Sequence, residues 1–128
     1  MGILQLKYLN DNIEKREKIY NFYQNRLKAY GHIALLNIPK NVKYNFSYFP
    51  IFFKEGFDKR EKIFKKLRND NIYCRKYWYP LISDHSVYRH DKKYDLVNAK
   101  ELSNSVLCLP IYPSLSKLDQ KRIISMIS

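Results

Sequence analysis

The sequence predicts an α+β domain of two layers: a small, mostly antiparallel sheet with helices on one face, preceded by a long helix. Three observations carry this. Leu6, Ile13, Tyr20 and Leu27 recur every seven positions near the start. Runs rich in aromatic and β-branched residues lie at 44–53, 72–79 and 106–111. Capping-box spacings open a helix before the second run and another after the third. A chain of 128 residues points to one domain, and 45% hydrophobic with 16% aromatic residues excludes a disordered chain.

The elements follow in order. Residues 3–30 read as one helix, with Leu9, Tyr23 and Tyr30 as a companion row and Gly31 as the C-terminal stop. Asp11, Glu14, Lys15, Arg16, Glu17 and Lys18 supply its solvated side. A helix this long cannot bury its whole stripe on a small domain, and its apolar start (Ile3, Leu4, Leu6) lacks a cap. It reads as a helix entered midway, with its stripe open to self-association. A short strand is expected at Ile33–Ile38, then an aromatic strand over 44–53. Pro50 there has no backbone donor, which predicts an edge strand or a bulge.

Asp58 is expected as an N-cap with Glu61 three residues on, and Ile63, Phe64 and Leu67 as the core stripe of that helix. It should end at 69–71, where an asparagine can turn left-handed. IYCRKYWY (72–79) reads as a strand closed by Pro80. A loop over 81–94 holds Ser83, Asp84, His85, His90 and Asp91. A short helix at 96–103, a strand at 106–111 and a helix capped by Ser116 and Asp119 complete the chain.

The formal net charge of +12 admits a polyanionic partner, but the charges lie on predicted helices with acids among them. That is the look of a solvated basic surface and argues against nucleic acid. Lys59, Arg60, Lys62, Lys65, Lys66 and Arg68 spread around one helix in the same way. Cys74 and Cys108 stand far apart in apolar runs and read as buried free thiols of a reducing cytoplasm. No Cys/His spacing suggests a metal, and no apolar run is long enough to span a membrane.

Three segments together resemble the DegT/DnrJ/StrS-type sugar aminotransferases. GILQLKYLNDNIEKREKIYNFY looks like the long helix linking their two domains. KREKIFKKLRNDNIYCRKYWYPL resembles their helix-then-strand signature with its Arg-x-Tyr-x-Tyr-Pro pattern. NSVLCLPIYPSLSKLDQKRIISMI is similar to their closing strand and last helix.

The resemblance implies the C-terminal part of such an enzyme, with 1–31 as the interdomain-type helix and 32–128 as the small C-terminal domain of an aspartate-aminotransferase-like fold. It further implies a dimeric, pyridoxal-phosphate-dependent family that aminates keto sugars on nucleoside diphosphates. The Tyr79-Pro80-Leu81 form of the loop looks like members acting on dTDP-linked 4-keto-6-deoxy sugars. Aldimine chemistry needs a lysine, an acid beside the pyridine nitrogen and a phosphate cradle. In the family these lie upstream of everything matched here, so the large cofactor-binding domain and its catalytic residues are expected to be missing. This chain alone is then expected to bind no pyridoxal phosphate. Among its 17 lysines, Lys54 is the least implausible substitute.

Alternation along 72–79 sets Tyr73, Arg75, Tyr77 and Tyr79 on one face, opposite Ile72, Cys74 and Trp78 with Lys76 among them. Arg75 could hold a diphosphate through its planar fork, with Tyr77 and Tyr79 stacking on a ligand. The alternative is packing against a covering domain. His85 and Tyr88 are candidates for sugar contact. Asp84, His85 and Ser86 adjoin too closely to form a catalytic triad. His32 and His90 read as surface residues. Three functions remain: part of a sugar aminotransferase, a stand-alone nucleotide-sugar or protein binding module, or a basic nucleic-acid binder.

Overall fold

A computed structural model describes residues 2–88 and 95–128; His90 and Asp91 of the expected loop lie outside them. The N-terminal stripe forms two helices rather than one. α1 spans Gly2–Lys7 and α2 spans Leu9–Leu27, and Tyr8 between them sits at φ −101, ψ 4, off the helical region. The Tyr8 N–H bonds back to the Gln5 carbonyl at 3.1 Å, a tighter turn than the α-helix makes. α2 stops four residues before Gly31. Leu27 is fully buried, and the chain must turn there to place Ile33 in the core. Gly31 lies in that turn and does not take the left-handed conformation expected of a helix stop.

β1 (Ile33–Leu35), β2 (Phe49–Phe53) and β3 (Val106–Leu109) form an antiparallel sheet of order β1-β2-β3. β2 is therefore the central strand, and the register runs one-to-one without a bulge. Pro50 is tolerated for a local reason. Cys108, its partner on β3, spends both backbone groups on Arg75, so the Pro50 backbone faces the β1 side. The last β1 pair is Leu35 with Ile51, so no β1 residue stands opposite the missing donor.

α3 (Phe57–Asn69) begins one residue before Asp58 and has Gly56, at φ 74, in the N-cap place. No side chain caps it. Asp58 instead lies in the first turn, where its charge suits the helix dipole. Asn71 takes the left-handed conformation at φ 59, as the sequence suggests. The expected strand over 72–79 shrinks to one bridge, Arg75 with Cys108. Two short 3₁₀ turns follow at Ile82–Asp84 and Ser86–Tyr88. α4 spans Val97–Ser105 and runs directly into β3. α5 (Lys117–Ile127) has the predicted cap: the Asp119 N–H donates to Ser116 Oγ at 3.1 Å.

Phe49, Ile51 and Phe53 of β2, with Leu107 and Leu109 of β3, form the sheet's share of the core. Tyr20, Tyr23 and Leu27 of α2, Ile63 and Leu67 of α3, and Ile123, Ile124 and Ile127 of α5 complete it. Each such side chain contributes about 1.5–3 kcal/mol by leaving water. α4 borders the other side of the sheet, where Ala99 and Leu102 share a hollow with Pro50, Phe52 and Val106. His32 is not a free surface residue: it is half-buried, and its ring stacks between Tyr30 and Phe53.

Candidate functional site

β2 begins, β3 ends and the 73–75 segment passes at the same end of the sheet. Residues flanking those three stretches therefore converge. Ser47, Tyr48, Tyr73, Arg75, Tyr77 and Tyr112 line a groove of about 440 Å³ there. Tyr48 meets the Tyr77 ring edge-on with centroids 5.3 Å apart. Arg75 Nη1 donates to Tyr77 Oη, and its guanidinium carbon lies 5.6 Å from the centre of that ring. The groove thus presents one guanidinium among four tyrosine rings. That arrangement suits a ligand joining an anionic group to a flat ring or sugar.

Burial pushes the Cys108 thiol, which lines this groove, up to about 11, with a backbone hydrogen bond from Tyr77 opposing. Cys74 is pushed up to about 12 by burial and then by Cys108. Both remain thiols at neutral pH and supply no nucleophile.

The structure brings together two of the five candidates, Arg75 and Tyr77. Tyr79 parts from them: its ring faces Arg60 at 4.6 Å, on the α3 side, and leans on Phe57. The alternation expected over 72–79 holds for Ile72 and Cys74 against Tyr73 and Arg75, then fails. It fails because Lys76 turns to α3, pairing with Glu61 at 2.7 Å and resting 4.1 Å above the Phe64 ring. Tyr79 then closes a turn by donating its N–H to the Lys76 carbonyl at 2.9 Å. His85 and Tyr88 are exposed on the 3₁₀ turns. Among the described residues, neither lines the groove.

Tyr48 and Tyr112 were not singled out from the sequence. Each stands beside the end of a strand, and antiparallel pairing of 44–53 with 106–111 would have placed them together. The sequence places Arg60 on a solvated basic face, yet its side chain is fully buried. Its Nε lies 3.2 Å from Glu61 Oε1 without the alignment of a hydrogen bond. Nη1 and Nη2 have no hydrogen-bond partner among the described residues. Burial lowers its pKa, and Glu61 and Tyr79 oppose the shift.

The chain belongs to the DegT/DnrJ/EryC1/StrS aminotransferase family, whose model matches residues 1–128. It is 38% identical over 120 residues to a dTDP-4-amino-4,6-dideoxy-D-glucose transaminase of Escherichia coli, covering 91% of this chain and 32% of that one. A protein of the same description from Shigella dysenteriae is 37% identical over 129 residues, covering 98% and 35%. The chain thus spans about a third of the length of these relatives.

Among solved structures, DesI in the presence of its TDP-sugar product superposes with a TM-score of 0.90 at 19% identity, over 99% of this chain and 33% of that one. Helicobacter pylori PseC, an aminotransferase, gives 0.87 at 20% identity, over 98% and 34%. Spr1654 of Streptococcus pneumoniae, solved in a PLP form, gives 0.83 at 20%, over 98% and 33%. These likenesses show the fold. They bear out the small antiparallel sheet with helices, and the family is pyridoxal-phosphate-dependent.

Four of the described lysines are already engaged. Lys76 is committed to Glu61 and Phe64, Lys66 donates to the Met126 carbonyl, and Lys15 and Lys59 pair with Asp11 and Glu55. Lys54 is exposed after β2, at the rim of an open hollow that Glu101 and Phe57 also line. Among the described residues no three His, Cys, Asp or Glu side chains group to hold a metal, and no helix is long and apolar enough to cross a membrane.

Proposed function

We propose that this chain is the C-terminal small domain of a pyridoxal-phosphate-dependent aminotransferase that aminates a keto sugar carried on a nucleoside diphosphate. The observation that carries the reading is the family match over the whole chain, strengthened by 38% identity to the Escherichia coli transaminase. The name of that relative supports a dTDP-linked 4-keto-6-deoxyhexose as the substrate; a cytoplasmic setting is our own expectation. When bound, the cofactor supplies amino-group transfer, and the lysine that carries it belongs to the two-thirds of the relatives outside this match.

This chain's residues act on the substrate side. Arg75 holds an oxygen of the diphosphate, and Tyr77 and Tyr48 flank the ring beyond it; Tyr79, His85 and Tyr88 lie outside this groove and would reach the sugar only from elsewhere in the complete enzyme. In the division proposed, 1–31 links the domains and 32–128 forms the pocket wall. Arg75 takes the phosphate role because its exposed fork lies among apolar rings and has no carboxylate partner among the described residues.

The test is a hybrid in which this chain replaces the matched third of the Escherichia coli relative. Amination of dTDP-4-keto-6-deoxyglucose by the hybrid supports the reading, and Arg75→Ala should raise KM more than it lowers kcat. A hybrid that folds and loads pyridoxal phosphate but leaves the sugar untouched would sink it. The groove is built wholly from this chain, which favours a second reading: a binding module that takes the nucleotide sugar by itself. Calorimetry of the isolated chain with dTDP separates the two, because a module binds alone.

A further inference from the structure

A guanidinium taken fully out of water costs several kcal/mol unless its charge and its donors are met. Arg60 is such a group, and what meets it is aromatic. Its carbon lies 5.1 Å from the centre of the Phe57 ring and 4.6 Å from that of Tyr79, and the two rings also meet each other, with centroids 5.9 Å apart. Phe57 stands three residues earlier on α3, so the Arg60 side chain folds back over the first turn of its own helix. Tyr79 arrives from the 76–79 turn and leans on Phe57. Both rings remain 41% exposed, so the charge is sheathed by a single layer of side chains.

The contact continues beyond these two rings. Glu61 Oε1 stands between two cations, 3.2 Å from Arg60 Nε and 2.7 Å from Lys76 Nζ. Lys76 lies 4.1 Å above Phe64 and 5.7 Å from the centre of Tyr79. Cations and rings thus alternate from Phe57 through Arg60, Tyr79 and Lys76 to Phe64, with one carboxylate joining the cations. On the α4 side Ser103 Oγ donates to the Trp78 carbonyl at 2.6 Å. The 76–79 turn is fastened to α3 and α4, whereas Arg75, one residue earlier, is fastened to β3.

We infer that Arg60 is the positioning residue of this turn: it fixes Tyr79, and through the turn it sets where the Tyr77 ring stands in the groove. Its consequence for a ligand rests on the proposed function; its effect on Tyr79 and Tyr77 does not. A neutral side chain of similar length would fill the space and lose the attraction to both rings. A lysine would keep the charge and lose the flat stacking surface. The Nη groups have no hydrogen-bond partner among the described residues, so the two ring faces and Glu61 are what meet the charge.

The experiment is nuclear magnetic resonance on the chain as wild type, Arg60→Met and Arg60→Lys. Tyr79 and Tyr77 ring signals should move toward those of free tyrosine in Arg60→Met and return part of the way in Arg60→Lys. The methyl signals of Ile51 and Leu107 should stay in place. Tyr79 and Tyr77 signals that hold still in Arg60→Met, or that move only along with those core methyls, would overturn the inference. A reciprocal variant guards against misfolding of Arg60→Met. Tyr79→Leu should speed solvent exchange of the Arg60 Nε proton at least tenfold, and an unchanged rate counts against the role. These signals decide the positioning role whether or not the chain binds dTDP. A dTDP titration, scored separately, decides the pocket reading.

Discussion

Leu6 and Leu27 lie on one seven-residue row of the N-terminal helices and meet opposite surroundings. Leu27 is wholly buried beside Tyr23 and the β2 side chains, while Leu6 remains 66% exposed with Ile3 and Leu4. α1 has no buried residue at all. The difference lies in the partner surface. The sheet and α5 reach the second half of α2 and end there. Periodicity reports that a face is apolar; it does not report what covers it.

The largest expected effect separates these two ends. Leu27→Ala should destabilise the chain by about 2–5 kcal/mol, because it leaves a cavity in a close-packed core. Leu6→Ala should change stability by less than ~0.5 kcal/mol, because the side chain is already in water. Urea unfolding followed by circular dichroism measures both. Equal losses at the two positions would break the comparison.

How much was legible follows the same line. VLCL in β3 was readable because all four residues are buried, and a continuous apolar run is what such a strand requires. The Ser116 cap was readable because its partner is three residues away. The groove was half legible. Arg75 and Tyr77 stood out as polar tips in an apolar run, whereas Tyr48 and Tyr112 join them only through strand pairing. Arg60 was not legible. Its burial depends on Phe57 one turn back and on Tyr79, nineteen residues on, and nothing local distinguishes it from Lys59 or Lys62. The end of the 72–79 strand was hidden for the same reason, since Glu61 and Phe64 draw Lys76 away from the sheet.

A smaller effect, absent at neutral pH, probes what the buried half of α2 packs against. Tyr23 Oη donates to the Pro110 carbonyl at 3.1 Å, and burial first, then Cys74, raises its pKa. Cys74 itself is raised from 9.0 to about 12. For such groups the unfolded chain loses protons before the folded one. Stability is then complete below about pH 9 and falls from there up to about pH 12. Thermal melts from pH 7 to pH 11 should show a flat region and then a decline. Cys74→Ala should make the decline shallower, and an unchanged slope would remove the thiol from the account.

The smallest effect on stability falls at the exposed end and carries the largest consequence for assembly. We expect the Ile3, Leu4 and Leu6 row to pair copies of this chain when nothing else covers it, since it is apolar and α1 has no acidic residue in its first turn. Ile3→Ser with Leu6→Ser should leave the melting temperature nearly unchanged and shift the sedimentation profile toward monomer. Added salt should strengthen self-association of the wild type, because screening weakens the repulsion between copies of charge +12 while the apolar contact persists. A wild-type chain that stays monomeric at high concentration and high salt would count against pairing through this row, and exposure of an apolar face on α1 would then not suffice for assembly.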